Sequence, residues 1–87
     1  MAVVKGVVVD DRQQPVPEAR VAFVSAPGPV PDVAALTPAD GAFALTAPVP
    51  GSYVIGAFSD EGASGQVTVV VEAEDVENLV ITLKRSP

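Results

Sequence analysis

The sequence predicts an all-β fold, a seven-stranded antiparallel Greek-key sandwich filling one domain over residues 1–87, on three observations. Short valine-rich runs alternate their side chains at a period of two. Seven glycines and nine prolines punctuate 87 residues, well above the roughly 12% of average sequences, so turns recur too often for long elements. No apolar stripe at a 3.6-residue period persists for three turns, and β-branched residues dominate the runs between breakers. A chain this short holds one core, because two would each bury too little surface.

The elements follow in order. Val4, Gly6 and Val8 alternate with Lys5, Val7 and Val9 in a first strand that ends at Asp10-Asp11. The stretch Asp-Asp-Arg-Gln-Gln-Pro is a turn, since its acids can accept backbone amides and Pro15 presets its own φ. Ala19, Val21 and Phe23 form one face of a second strand. Prolines 27, 29, 31 and 38 remove backbone donors between Ser25 and Pro38, which predicts a Pro-rich loop or an irregular edge over about 25–38. The best helical candidate, Asp32 to Pro38, has room for one or two turns.

Asp40-Gly41 suits a tight turn. It leads into a strand with Phe43 and Leu45 inward. Pro48-Val49-Pro50-Gly51 breaks that strand, and Tyr53, Ile55 and Ala57 begin the inward face of the next, with Val54, Gly56 and Phe58 opposite. Asp60-Glu61-Gly62 and Ser64-Gly65 are turn signals. Val67, Val69 and Val71, then Leu79, Ile81 and Leu83, complete two further alternating runs. Facing layers of such strands share one core.

Composition excludes several chemistries. There is no His, Cys or Trp, hence no imidazole base, no thiolate, no disulfide and no zinc site of nitrogen and sulfur ligands. A net charge of −6 would repel a phosphate backbone, which argues against nucleic-acid binding. The denser acids Glu72, Glu74, Asp75 and Glu77 read as a solvated strand end and turn. Apolar runs stop well short of the roughly 20 residues a spanning helix needs, so no membrane insertion is expected. The start, Met-Ala-Val-Val-Lys-Gly, has no secretory pattern, which points to a cytoplasmic protein if the chain is full length.

Four segments together resemble a known family. Val4-Lys-Gly6-Val-Val8-Val-Asp10, Pro15-Val16-Pro17-Glu-Ala19-Arg-Val21, Thr37-Pro-Ala-Asp40-Gly41-Ala-Phe43-Ala-Leu45 and Pro50-Gly51-Ser-Tyr53-Val-Ile55 are similar to carboxypeptidase regulatory-like domains of the transthyretin-like (prealbumin-like) sandwich group. The resemblance runs over nearly the whole chain. It implies a seven-stranded, non-catalytic sandwich serving as an accessory, spacer or binding module, with no cofactor. The chain departs from the usual pattern in the Pro-rich insertion around 27–31 and in Glu18, where Gly is common; both bear on loop geometry.

Physical reasons account for the motif residues. Gly6 leaves room for a strand or a ring, Asp40-Gly41 and Pro50-Gly51 make turns, and Tyr53 offers a buried ring whose hydroxyl can reach a partner at the sandwich edge. Purine-amide hydrolases of similar fold rely on His and Arg residues and a Tyr-Arg-Gly-Ser ending. This chain has no His and ends Leu83-Lys84-Arg85-Ser86-Pro87. The pairs Asp10-Asp11 and Asp60-Glu61 could serve as acid and base or ligate calcium in a metal-dependent hydrolase. Strand neighbours point to opposite faces, however, so turn formation is the simpler reading.

Related surface-adhesin sandwiches carry a first-strand Lys and a last-strand Asn joined by an isopeptide bond, a comparison that Lys5 and Asn78 invite. That reaction needs a desolvated amine beside a protonated acid, whereas Lys5 alternates away from Val4, Gly6 and Val8. With only Phe23, Phe43, Tyr53 and Phe58 as aromatics, three of them assigned to the core, a flat carbohydrate platform is not expected. Val7, Val9, Val54 and Phe58 fall on outward positions and form a candidate protein interface; a register slip or a bulge at Gly6 or Gly56 would turn part of the set inward. The expected partner is another protein or a second copy. A structural subunit or adaptor of a surface or secretion apparatus is the alternative role.

Overall fold

The computed structural model describes residues 2–30 and 34–85. The strands are β1 (Ala2–Val9), β2 (Arg20–Ser25), β3 (Ala35–Leu36), β4 (Ala42–Ala47), β5 (Gly51–Phe58), β6 (Ala63–Val71), β7 (Val76–Thr82) and β8 (Lys84–Arg85). Leu83 alone separates β7 from β8, so the last two are one strand that crosses between sheets, and the chain has the seven strands expected. A small sheet runs β4-β1-β7 and a large one β3-β2-β5-β6-β8.

Alternation sorts the side chains as the period of two requires. From β1, Val4 and Val8 are fully buried, and they meet Tyr53, Ile55 and Ala57 of β5 in one cluster with Val21, Val71 and Ile81. Burying a side chain the size of Ile55 contributes roughly 1.5–3 kcal/mol. Phe43 and Leu45 point inward from β4, and Phe23 packs against Tyr53 with the rings tilted at 44° and their centroids 5.0 Å apart.

One expectation fails: the sheets are not purely antiparallel, because β1 pairs with β7 in parallel. Alternation specifies which face a residue occupies; it carries no information about which strand lies alongside or in which direction. The same pair holds a bulge. Val4 aligns with Val76 but Gly6 with Leu79, and Asn78 in the extra length of β7 takes a φ of 62°. Gly6 is required there, since a β-carbon on it would fall onto the Leu79 carbonyl oxygen and 2.8 Å from Phe43 Cζ.

The β5–β6 turn also differs. Asp60 to Gly62 form it, with Gly62 at φ 85°, whereas Ser64 and Gly65 lie inside β6. Gly65 marks a close approach of the two sheets: a β-carbon would meet the Thr82 carbonyl where β7 leaves the small sheet. The helical candidate at 32–38 includes Asp32 and Val33, which lie outside the described residues; Ala35–Leu36 is a short edge strand.

Thr37, the one buried polar residue among the described residues, fastens that edge. Its Oγ1 accepts from the Ala19 N–H at 2.9 Å and donates to the Val16 carbonyl at 2.7 Å. Backbone bonds from Glu18 N to Thr37 O and from Thr37 N to Ala19 O reinforce it. Tyr53 closes the β4–β5 connection as expected of it: its hydroxyl accepts from Val49 N–H and donates to the Val49 carbonyl.

Candidate protein-docking face

The outward residues of the large sheet are set by pairing, because partners across a ladder share a face. Phe58 aligns with Arg20 on one side and Ser64 on the other; Arg20 aligns with Leu36, and Ser64 with Lys84. One row across the sheet therefore reads Leu36, Arg20, Phe58, Ser64, Lys84. The next row is Ala22, Gly56, Gln66, followed by Val54 beside Thr68 and Ser52 beside Val70.

Large apolar side chains stand exposed on these rows. Leu36 and Val70 are each 63% exposed, Val24 51% and Phe58 48%. Gly56 is the floor between two of them, since a β-carbon there would lie 2.7 Å from Val24 Cγ2 and 3.6 Å from the Phe58 ring. Absence of that β-carbon lets Val24 and Phe58 close over the strand as one patch, a larger apolar area than scattered surface residues make.

The electrostatics of this face differ from those of the whole chain. None of the five strands of the large sheet contains an Asp or Glu, although the chain carries eleven. Arg20 and Lys84 are the cations on the row through Phe58. Arg20 pairs with Asp60 in the adjoining turn at 3.7 Å, an exposed contact of the kind that contributes little to stability.

The four interface residues expected from the sequence divide. Val54 and Phe58 lie on this outer face, Val54 half-buried and Phe58 exposed. Val7 is half-buried on the outer side of the small sheet, aligned with Ala42 and Val80, so it belongs to the opposite side of the sandwich. Val9 is a correction: it is only 6% exposed. The turn after β1 folds back, with Pro15 bridging to Val9, and Leu83 N–H donates to the Val9 carbonyl at 2.8 Å, so the strand end is covered on both sides. Leu36, Val24 and Val70 were missed. Leu36 sits in the segment read as loop or helix, Val24 in a bulge between Phe23 and Ser25, and Val70 on the strand face opposite Val67, Val69 and Val71, an outward position that the parity of that run already implied.

Two other candidate sites lie elsewhere on the sandwich. Lys5 and Asn78 do line one shallow hollow, with Glu77 beside them, but all three are exposed, without the desolvation that isopeptide chemistry requires. At one end of the sandwich the β1–β2 and β5–β6 turns enclose an open cleft of about 880 Å³ that Asp10, Asp11, Asp60 and Glu61 border. Asp10 is committed to the turn: its Oδ1 accepts from Gln14 N–H at 2.9 Å and Arg12 N–H at 2.8 Å. These bonds, Gln14 first, hold its pKa below the ordinary 3.8, so it is ionised at neutral pH and is no general acid there. Among the described residues, no three His, Cys, Asp or Glu side chains are grouped to hold a metal ion, and no helix is long and apolar enough to cross a membrane.

Two packed sheets around one apolar core define the class: an all-β sandwich domain. The chain belongs to the carboxypeptidase regulatory-like domain family, whose pattern it matches over residues 3–84. No curated protein sequence matches it. Among solved structures it is similar to the C-terminal domain of the Caf1A usher, with a TM-score of 0.63 at 14% identity, over 94% of this chain and 98% of that one. At that identity the likeness concerns the fold. For the usher domain, conserved hydrophobic clusters on the surface are described as important for F1 antigen assembly.

Proposed function

We propose that this chain is a non-enzymatic accessory module that binds a protein through the outer face of its large sheet. The observation that carries the reading is the exposure of Leu36, Val24, Phe58 and Val70 on one outer face whose strands are free of carboxylates. Apolar side chains supply the binding energy and exclude water, while Arg20 and Lys84 at the row through Phe58 favour a partner whose apolar centre is flanked by acids. Support from outside the chain is the shared fold with a domain whose surface hydrophobic clusters matter for assembly. A subunit or adaptor of a surface or secretion apparatus is the narrower form of the same role.

Photo-crosslinking tests it. A photoreactive side chain at Val70 on the outer face, compared with one at Val80 on the small sheet, is expected to capture a defined partner only from position 70 and to lose it when Phe58→Ser is added. Equal capture from both positions, or capture indifferent to Phe58→Ser, would show that this face is not the binding surface.

A further inference from the structure

We infer that two copies of this chain pair through the free stretch of β6, antiparallel about a two-fold axis at Thr68, with Lys84 of each copy meeting Glu72 of the other. The contact lies along the edge of the large sheet, apart from the docking face. β6 is nine residues long, and β8 pairs with only Ala63 and Ser64 of it. From Gly65 to Val71 the strand therefore has one neighbour in its sheet, β5. The Ser59 N–H donates to the Ala63 carbonyl at 2.9 Å, which sets the alternation of the β5–β6 ladder. Gly65, Val67, Val69 and Val71 bond to β5, while Gln66, Thr68 and Val70 aim their N–H and C=O groups at the open side, as the unpaired edge of a sheet does. Among the described residues, nothing bonds these three backbones there.

The charges at the two ends of the stretch select the occupant. Lys84, exposed, sits beside Ser64 where the open stretch begins, and Glu72, exposed, follows Val71 where it ends. A two-fold contact requires a surface that complements itself. An edge with a cation at one end and a carboxylate at the other does so when two copies run antiparallel. With Thr68 facing its counterpart, Gln66 faces Val70 of the other copy, and all three open backbones fall opposite one another. Ser64 then comes level with Glu72 of the other copy, so Lys84 beside Ser64 meets that carboxylate, and the axis repeats the pair. An axis at Gln66 would drive the added strand into β8. An axis at Val70 would bring each Glu72 level with Thr68, with no cation opposite.

Openness alone does not distinguish β6, since β4 is also an open edge. The charges do: residues 40–48, which span β4 and its flanks, contain Asp40 and no Lys or Arg, and so offer a copy of themselves no opposite sign. A chain of net charge −6 repels its copies over most of its surface. The stretch Gly65–Val71, neutral and bounded by opposite signs, is where two can meet. Pairing also sets Gln66 against Val70, which is 63% exposed in the single chain. Facing residues of a ladder share a face, so the outer faces of both large sheets lie on one side of the joined sheet.

Sedimentation equilibrium of the full chain tests the pairing. The unmodified chain is expected to form a weak dimer with a dissociation constant below about 1 mM, looser as salt rises because the end pairs are screened. Lys84→Glu and Glu72→Lys each set like charges together at both ends, and each is expected to weaken its own dimer about tenfold. Both folds persist, because both positions are exposed. Mixed in equal amounts, the two variants have opposite signs at both ends, and a heterodimer as tight as the unmodified dimer is expected, an outcome particular to Lys84 facing Glu72. Amide exchange on the unmodified chain needs no variant: protection at the Gln66, Thr68 and Val70 N–H groups is expected to rise with concentration, while that at Ala44 and Thr46, exposed on β4, stays unchanged. A chain still monomeric at about 1 mM, single variants that dimerise like the unmodified chain, a mixture no tighter than either variant alone, or protection rising on β4 instead of β6 would overturn the inference. Phe58→Ser is expected to leave this dimer unchanged, so the edge and the docking face fail or hold separately.

Discussion

Replacing Thr37 with valine keeps its shape and removes its hydroxyl, and the structure assigns that change a definite cost. The hydroxyl serves two groups, the Ala19 N–H at 2.9 Å and the Val16 carbonyl at 2.7 Å. Ala19 is fully buried, and Thr37 is 2% exposed, so water cannot replace the lost acceptor. An orphaned buried donor costs about 1–3 kcal/mol; the half-buried Val16 carbonyl adds toward the lower end of that range. The sum is about 2–4 kcal/mol, which for a domain of this size lowers the melting temperature by roughly 8–32 °C. Thr37→Ser keeps both bonds and loses one buried methyl, about 1 kcal/mol. Urea unfolding followed by circular dichroism, with equal slopes for the three proteins, measures both. Valine at least as stable as serine would refute the reasoning, because it would mean that packing rather than the two hydrogen bonds holds the β3 edge. The proposed docking depends on the same clamp: Leu36 precedes Thr37, and Arg20 follows Ala19, so loosening it displaces one end of that row.

Other outcomes follow from single positions. Gly6→Ala and Gly65→Ala each force a β-carbon onto a carbonyl of β7 or its end, and each is expected to lose about 1–3 kcal/mol, read from the denaturation midpoint. Glu18 holds a φ of 58°, a conformation that strains a side-chain-bearing residue, so Glu18→Gly is expected to gain up to about 1 kcal/mol after the entropy of the unfolded glycine is subtracted; a lower melting temperature would refute it. Asp10 has a lowered pKa in the folded chain, so its contribution is present above the ordinary 3.8 and is lost as pH falls from there through the folded value. Asp10→Asn is expected to flatten the pH dependence of stability in that acid range and leave it unchanged at neutral pH.

The inner faces of nearly every strand were legible because alternation at a period of two survives in any sandwich. Val4 with Val8, Phe43 with Leu45 and Tyr53 with Ile55 are buried where that rule puts them. The Asp40-Gly41 turn was equally readable, since Gly41 has φ 74° and Asp40 accepts the Ala42 amide, which is local chemistry; Ser64-Gly65, read as a turn, lies inside β6 because Gly65 serves a close approach to Thr82. The candidate site was legible only in half. Val54 and Phe58 follow from strand parity, but Val9 is buried by a turn that folds back over it, and Leu36 lies in a segment whose prolines concealed a strand.

Local stereochemistry acts between near neighbours, so the sequence alone determined the all-β class, the family, most of the turns and most of the inward residues. Partners far apart along the chain are chosen by packing, and only the tertiary structure decided them. It laid β1 parallel to β7, carried the last strand from one sheet to the other past Gly65, and gathered Leu36, Val24, Phe58 and Val70 on one face.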